Sequence, residues 1–452
     1  MMGPRRRREA KLFYTGIDLE TRVPRDHRLR RIAQAVSFDV VRSRVAPLYG
    51  HNGHASLDPV VTLKLMLLLF LENVASEREL MRQLPLRLDW LWFLEMDLDD
   101  PAPHHSVLSK ARRRWGVAVF EALFTDVLLQ CRDAGLIDGQ TVYADSTVLK
   151  ADASVDSRVP RRLWEQLERA AEPPSEPPPA PPREDDDAGS GEAEGSNDRA
   201  CQHAAPPPSP EPSEASAPEA PPQEAKFNRR WVSTTDPDAA TTQRRGRGVT
   251  LGYRDHRLVD RRRGVVLATL ATPADTDDAA MLTPLLDEQL RRLHQTPRCA
   301  VGDSAYGTKD NVAALRRRGV RPYLKPRPGR RGLGGWLRRM PAGCGPETTR
   351  RLMGERLSIA EGSFAHAHTR MGHRRCRWRR LWRVQTQCLL VSMSQNIQKL
   401  ARHGRRLRAT AEAAMTAPAA TASLTIAAIS TLSRRGRSAL HPHQGPCAPS
   451  QL

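Results

Sequence analysis

The chain has few lysines, few aromatic residues and no paired cysteines. Only eight lysines occur among its 71 basic residues, so the formal net charge of +20 comes almost entirely from arginine. Arginine suits phosphate better than lysine does, because its planar guanidinium donates two parallel hydrogen bonds, although GC-rich codon usage would give the same composition. An excess of positive charge of this size predicts an electrostatic affinity for nucleic acid or another polyanion.

The seven cysteines are scattered and include no Cys-x-x-Cys pair. This pattern argues against a disulfide framework and against a structural zinc site, and it is typical of a reducing cytoplasm. No secretory signal is apparent, because the basic residues 5–8 are not followed by an apolar stretch. The longest apolar run, residues 65–71, is far shorter than the roughly 20 residues of a membrane span. We therefore expect a soluble cytoplasmic protein.

The 452 residues are enough for two or three domains. We expect a basic arm over residues 1–40, followed by a helical domain over residues 41–135. Within it, Asp58 and Pro59 predict a helix start, and the stretch as far as Asn73 is apolar on nearly all sides, which is typical of a buried helix. A second helix is expected directly afterwards. Two helices joined by a short turn occur in DNA-binding domains and in ordinary helical domains alike, and both possibilities stay open.

The composition changes abruptly over residues 171–222, where Pro, Ala, Ser, Glu and Asp dominate. Such a segment cannot bury enough apolar surface to become ordered, so we expect a disordered acidic insert. Because the insert is acidic, the folded parts are more basic than the net charge suggests. Residues 403–452, which are rich in Ala, Thr and Ser, are expected to form a low-complexity tail.

Three acidic residues occupy positions that invite a functional explanation. Asp145 lies in the middle of the β-rich segment 141–149, where a buried carboxylate is costly unless it is paired or metal-bound. Asp303 ends the short apolar run 299–302 and either caps the next turn or holds a metal ion. Glu361 is expected to open a long helical region that faces a run of arginines. Acids on two strands and one helix are what a two-metal phosphoryl-transfer site needs.

Other titratable residues compete with these three. Asp277 and Asp278 precede a predicted helix, and helix capping explains them adequately. Asp255 and His256 are neighbours in a β-hairpin predicted over residues 248–270. Because neighbours in a strand point to opposite faces, they cannot both reach one site.

With these acids in this order, the sequence resembles the DDE transposases of bacterial insertion sequences, in the broad IS-four/IS-five superfamily. The resemblance runs from about residue 57 to residue 400 with one large interruption. It rests on five motifs in the family's order: residues 143–147 (YADST), 235–239 (TDPDA), 251–256 (LGYRDH), 301–307 (VGDSAYG) and 360–364 (AEGSF).

The resemblance implies an α/β fold and a mechanism. It implies an RNase H-like catalytic domain over residues 136–402, preceded by an all-α InsH-type domain that engages the ends of the element. Asp145 and Asp303 would lie on adjacent central strands, and Glu361 on a packed helix. The implied activity is DNA transposition with two Mg²⁺ ions, for which Mn²⁺ can substitute. Asp145 would bridge both ions, Asp303 would hold one and Glu361 the other.

The resemblance also implies partners. These are double-stranded DNA, as the terminal inverted repeats of the element and as target DNA, and a second copy of the chain on that DNA. The protein would then be nucleoid-associated in a bacterium. Basic residues interleaved with tryptophan follow the third acid and suit a DNA backbone alongside unstacked bases, although a solvated charged face is the alternative. The candidate DNA-binding residues are His368, Arg370, Arg374, Arg375 and Arg377.

The chain departs from the family pattern around its third acid. Many relatives place an arginine four residues before the catalytic glutamate and a lysine seven residues after it. Here Leu357 stands four before Glu361, with Arg356 one place off, and His368 stands seven after it. These changes leave two alternatives open: a catalytically inactive DNA-binding remnant of a transposase, and a non-transposing nuclease with the same core.

Overall fold

The computed structural model describes residues 1–5, 18–50, 55–171, 223–243, 248–325 and 346–416, with side chains in the last helix as far as His403. The acidic insert expected over residues 171–222 lies almost wholly outside the described residues. So does the tail beyond residue 416.

The described N-terminal region is helical, as the sequence predicts. Its α-helices are α1 (Leu19–Arg22), α2 (Arg28–Ala35), α3 (Val40–Val45), α4 (Pro59–Leu71), α5 (Glu77–Gln83), α6 (Leu88–Leu94) and α7 (Ser106–Asp133). Every residue of α4 is buried, which confirms the prediction for this stretch. The helix begins where Asp58 accepts a hydrogen bond from the amide of Val60, with Pro59 in the first turn. Helix α7 bends at Gly116, whose φ of 66° favours glycine.

Two of these helices lie within the segment that the sequence assigns to a basic arm. Helix α2 buries Leu29 and Ile32, and α1 buries Leu19. These apolar side chains join the same hydrophobic core as α4 and α7. Residues 19–35 are therefore part of the folded region: Leu29 and Ile32 lie on one face of α2, and Leu19 of α1 is buried.

A six-stranded mixed sheet forms the centre of the catalytic region. Its strands are β1 (Thr141–Lys150), β4 (Ala240–Gln243), β5 (Val249–Asp260), β6 (Val266–Pro273), β7 (Cys299–Gly302) and β8 (Arg321–Leu324). Strand β5 pairs antiparallel with β1 on one side and with β4 and β6 on the other. Strands β1, β7 and β8 are parallel. The predicted hairpin is β5–β6, and this arrangement is the RNase H-like α/β fold that the resemblance implies.

Helices cover the sheet, and a small second sheet stands beside it. The helices are α8 (Arg161–Ala171), α9 (Gln223–Arg230), α10 (Leu282–Leu293), α11 (Lys309–Arg317), α12 (Pro346–Arg356), α13 (Gly362–Arg370) and α14 (Leu381–Thr416). The second sheet pairs β2 (Arg158–Pro160) with β3 (Trp231–Ser233). A π-helical turn, Leu357–Glu361, joins α12 to α13.

Helix α14 is packed along β6 and completes its hydrogen bonding. The side-chain amide of Asn396 accepts from the amide of Val266 (2.9 Å) and donates to its carbonyl (2.8 Å). Gln385 does the same for the backbone of Ala271 (2.6 Å) and Thr269 (3.1 Å). Strand β6 is an edge of the sheet along this stretch. These contacts therefore satisfy backbone groups that would otherwise lack a hydrogen-bond partner within the sheet.

Candidate active site

The first two acids of the predicted triad come together through the pairing of β1 with β7. The parallel register sets Tyr143 opposite Val301. Two residues further along β1 is Asp145, and Asp303 directly follows the end of β7 at Gly302. Neighbouring strands lie about 4.8 Å apart. Side chains two residues apart share a face, so both acids lie on the face where Tyr143 and Val301 pack against Ala360.

The third acid reaches this face from the π-helical turn. The sequence predicts that a helix opens near Glu361, but the helix begins at Pro346 and Glu361 ends the π-turn within it. The guanidinium of Arg356 lies between two of the acids. Its Nη2 is 3.0 Å from Oε1 of Glu361, and its Nη1 is 3.3 Å from Oδ2 of Asp145.

The π-turn explains how a displaced arginine still faces the third acid. In an α-helix, residues four apart lie on one side, whereas the wider π-turn brings residues five apart together. Arg356 stands five places before Glu361 and forms an ion pair with it. The irregular spacing in the sequence is therefore compensated by one extra residue in the turn.

The electrostatic environment of Asp145 is unusual for a strand residue. Its burial raises the pKa of the carboxyl group to about 6, and the positive charge of Arg356 acts in the opposite direction. The negative charges of Asp303 and Glu361 raise the pKa further. Three carboxylates that repel one another, one of them buried, are stabilised when a cation lies among them. Carboxylate oxygens are also the ligands that Mg²⁺ prefers, so the residues present fit a divalent cation.

Asp303 also caps the turn that follows β7. Its Oδ1 accepts a hydrogen bond from the amide of Ala305 (2.9 Å), as the capping alternative predicts. One carboxylate oxygen is thus committed to the backbone, which fixes the orientation of the side chain. Among the described residues, a different group has potential metal ligands that all lie within 4.8 Å of one another. The carboxylates of Asp145, Asp303 and Glu361 do not all lie this close together. A two-metal site does not require such convergence, because each outer acid holds a different ion.

Two family models match the chain. The transposase domain DUF772 matches residues 17–114, and the transposase DDE domain matches residues 219–397. The chain is a DDE transposase of the insertion-sequence type. Asp303 and Glu361 lie inside the DDE match, whereas Asp145 precedes it. The family implies a dependence on divalent metal ions and binding to DNA. No curated protein and no solved structure matches the chain.

The transposase has other acids near β1, and they behave differently from one another. Asp277 caps a short 3₁₀ turn by accepting from the amide of Ala279 (3.2 Å), which confirms its predicted role. The sequence also assigns Asp278 to capping, and this assignment is wrong. The carboxylate of Asp278 accepts hydrogen bonds from the hydroxyl of Ser146 (2.7 Å) and from Nη1 of Arg254 (2.7 Å). These contacts fasten the segment before α10 to the opposite face of β1.

A latch that the sequence does not reveal holds α12 against the sheet. The hydroxyl of Tyr143 donates to Oε2 of Glu355 (2.6 Å), and Arg261 donates two hydrogen bonds to the same carboxylate (2.7 and 2.9 Å). Because Glu355 precedes Arg356, the latch fixes the helix that carries the cationic side chain. Only the tertiary fold brings these three residues together, so no local pattern could have identified them.

A second polar cluster lies deeper on the same face of the sheet. Asp255, His373 and Cys388 are fully buried, with potential ligand atoms within 4.8 Å of one another. Both oxygens of Asp255 are already occupied, by the hydroxyl of Thr269 (2.7 Å) and by Arg257 (2.9 Å) together with His373 (2.9 Å). A metal ion would displace a paired guanidinium, so we assign this cluster to structure. His256 points to the other face, towards Thr272 (2.9 Å).

The candidate DNA-binding residues occupy three kinds of environment. Arg370, Arg374 and Arg375 are exposed, and Arg375 donates to Asp152 (3.1 Å). His368 is half-buried, with Nε2 3.4 Å from the hydroxyl of Thr147 on β1. Since Thr147 lies two residues beyond Asp145, His368 stands beside the candidate site rather than on the outer surface.

Arg377 has a different geometry from its exposed neighbours. Its guanidinium donates to the carbonyls of Val74, Leu69 (3.3 Å) and Met371 (3.3 Å), and it lies 4.8 Å from the ring centroid of Phe70. These contacts join the end of α4 to the C-terminal part of the transposase. Because its donors are already occupied, we leave Arg377 out of the proposed DNA surface.

The described part of the transposase contains no helix that is long and apolar enough to cross a membrane.

Proposed function

We propose that this transposase cuts and joins DNA at the ends of an insertion sequence, with Asp145, Asp303 and Glu361 as the acids that hold its metal ions. The observation that carries the proposal is the meeting of all three acids on one face of an RNase H-like sheet. Asp145 and Asp303 are neighbours across β1 and β7, and Arg356 links Asp145 to Glu361.

Each acid has a distinct part in the proposed site. Asp145 would bridge the two ions, because it lies between the other two acids, and Asp303 and Glu361 would hold one ion each. Bound Mg²⁺, or Mn²⁺ in its place, would activate water and then a DNA 3′-hydroxyl for attack on a phosphodiester. The turn at Ala305 and the latch at Glu355 keep the acids in place before any ion arrives.

The same proposal includes the DNA partner. Double-stranded DNA carrying the terminal inverted repeats, and target DNA, would contact the exposed arginines Arg370, Arg374 and Arg375, with His368 nearer the acids. A homodimer on the DNA would hold both ends of the element. We place the protein in the IS-four/IS-five superfamily and at the bacterial nucleoid in the cytoplasm.

The test replaces each acid by its isosteric amide. Asp145→Asn, Asp303→Asn and Glu361→Gln should each abolish cleavage of a labelled end fragment while sparing binding, because these variants lack the charge that holds a metal ion. Double variants should be no worse than single ones, since the acids act as a unit. Cleavage is measured in Mg²⁺ or Mn²⁺, with EDTA as the blank.

A matched control separates chemistry from stability. Asp277→Ala removes the cap of the 3₁₀ turn, so it should cost about 0.5–2 kcal/mol of stability and leave cleavage measurable. Near wild-type cleavage by the Asp303 variant would show that the second ligand is misassigned. A wild-type protein that binds the ends and never cuts them would instead establish the inactive remnant, the alternative favoured by His368 at the position of the usual lysine.

A further inference from the structure

A groove of about 900 Å³ lies between the helical region and the C-terminal part of the catalytic region. One wall comes from α5 and α7, and the other from the segment that leads into α14. Its lining includes seven arginines and only two acids, Glu77 and Asp152. Such a surplus of positive charge in a concave surface attracts a polyanion.

The arginines of the groove are not all neutralised within the protein. Arg375 and Arg379 share Asp152 (3.1 and 3.3 Å), and Arg112 is paired with Glu77. Within the described part of the chain, Arg113 and Arg383 form no ion pair with a carboxylate, and Arg113 is exposed. They come from different walls, so a ligand that contacts both would span the groove.

The electrostatics of Arg112 indicate how strongly this positive charge accumulates. Burial lowers the pKa of its guanidinium, and the nearby charge of Arg383 lowers it further. The arginines of the two walls therefore repel one another across the groove. An anion between them would relieve this repulsion.

The tryptophans of the groove orient arginines. The guanidinium of Arg112 lies 3.9 Å from the ring centroid of Trp378, and that of Arg383 lies 4.8 Å from the ring centroid of Trp382. One face of each ring is thus covered by a cation. That face of each ring is not open to an unstacked base, whereas the guanidinium groups that these rings hold in place can contact phosphates.

The distance from the groove to the acids follows from β1. The backbone of Arg375 forms a parallel β-bridge with that of Lys150, the last residue of this strand. Lys150 stands five positions after Asp145, which corresponds to about 17 Å at roughly 3.3 Å per residue. Double-stranded DNA rises about 3.4 Å per base pair along each strand. For DNA that runs along β1, the groove would therefore begin about five base pairs from the candidate acids.

We propose that this groove binds the phosphate backbone of double-stranded DNA about five base pairs from the phosphodiester that is cut. This inference rests on the proposed function, since the acids define where the cut lies. Arg113 and Arg383 are the residues that contact the phosphates from opposite walls.

The first experiment measures how salt affects binding to an end fragment. In the Arg113→Ala/Arg383→Ala double variant, the slope of log K against log salt should fall by about two, at roughly 0.9 for each phosphate that the protein no longer neutralises. The lysine counterpart, Arg113→Lys/Arg383→Lys, keeps the charge and should keep most of the slope. Arg316→Ala/Arg317→Ala removes two exposed arginines from α11, outside the groove, and is the matched control.

The second experiment locates the contact along the DNA. Uncharged methylphosphonate links are placed one at a time in the end fragment. Links about four to six base pairs from the cut should weaken binding by the wild-type protein, and should weaken binding by the alanine double variant much less. This coupling, unlike a loss of stability, depends on the position of the link.

The outcomes separate this inference from the proposed function. An alanine variant with the wild-type slope, or with the same methylphosphonate profile as the wild type, overturns the groove as a DNA site even when cleavage is intact. A wild-type protein that binds but does not cut overturns the proposed function. In that case the position of the methylphosphonate effect, measured from the element end, still decides whether the groove holds the backbone.

Discussion

The positive charge of Arg356 partly balances the negative charges of the acids in the candidate site. Its side chain is buried and lies between Asp145 and Glu361. A guanidinium cannot lose its proton near neutral pH, so it is a permanent cation beside the acids. It therefore lowers the cost of burying Asp145 when no metal ion is bound.

His368 stands where relatives carry a lysine, but it does not supply the same charge. Burial lowers the pKa of its imidazole to about 4, and the positive charge of Arg374 contributes. The side chain is therefore neutral at pH 7. Of the residues proposed to contact DNA, His368 can offer a hydrogen bond at neutral pH, and the arginines supply the charge.

This difference predicts how His368→Gln behaves in DNA binding. The variant should keep the wild-type salt slope between pH 6 and pH 8, whereas Arg374→Ala should lower the slope by about one. Fluorescence anisotropy on the same end fragment measures both. A lower slope for His368→Gln at pH 7.5 would mean that the imidazole is charged in the complex.

The stability of the same variant checks the sign of the pKa shift. A histidine whose pKa is lowered by folding contributes stability above its unfolded pKa, near 6.5, and this contribution is lost as the pH falls through about 4. His368→Gln should therefore lose less stability than the wild type between pH 6.5 and pH 4. Urea unfolding at the two pH values gives the comparison.

At the scale of elements, the π-turn sets the position of the third acid. An α-helix through Leu357–Glu361 would rotate Arg356 away from Glu361, since it stands five residues earlier. The turn holds one more residue than an α-helical turn, and Ser358 in it is exposed. Turns of this kind are rare and frequently occur at functional sites.

Deleting Ser358 should convert the π-turn into an α-helical turn and leave Arg356 four residues before Glu361, the spacing of the relatives. We expect a folded protein that cleaves within roughly tenfold of the wild type, or about 1.4 kcal/mol in the barrier. Arg356→Gln keeps the π-turn but removes the cation, and should cost about a hundredfold or more. Cleavage of the labelled end fragment measures both variants.

The reverse order of activities would show that the backbone geometry of the turn matters more than the charge. Far-ultraviolet circular dichroism confirms that both variants are folded before their rates are compared.

The sequence predicts the elements better than their connections. Helix α4, the β5–β6 hairpin and the strand around Asp145 follow from local patterns of apolar residues and turn signals. The inward geometry of Arg377 could not be foreseen, because two of its acceptors, the carbonyls of Leu69 and Val74, lie about 300 residues earlier in the chain. The same holds for Asp278, whose partners Ser146 and Arg254 lie on two strands of the sheet. The local capping signal is correct for Asp277. It does not reveal that the next residue, Asp278, makes long-range contacts instead.

At the scale of the whole molecule, the two segments that flank the insert are held together by strand pairing and by hydrogen bonds between helices. Strands β2 and β3 are antiparallel, with Val159 opposite Val232. Beyond them, Arg161 of α8 donates to the carbonyls of Asn228 and Arg229 (3.1 Å each). The chain therefore leaves and re-enters the described structure through a two-strand, two-helix stem.

Removing residues 172–222 and joining the stem through a short Gly-Ser linker should leave the fold intact. Loop closure depends only on the logarithm of loop length, so the free energy of unfolding should change by no more than roughly 1–2 kcal/mol. Binding to the end fragment should also persist. Urea unfolding and anisotropy provide the measurements, and a loss of cooperative unfolding would show that the segment contributes to the core.

Helix α14 makes the order of synthesis matter for this chain. It packs against α2, α4 and α7 as well as against β6, so the helical N-terminal region shares its core with the end of the catalytic region. About 250 residues separate the end of α7 from the start of α14. At about 5–20 residues per second, a ribosome needs on the order of 10–50 s to cover that distance. During that interval the largely apolar α4 lacks part of its covering. We therefore expect the nascent protein to need chaperones, and a prematurely terminated chain to aggregate before it can occupy DNA.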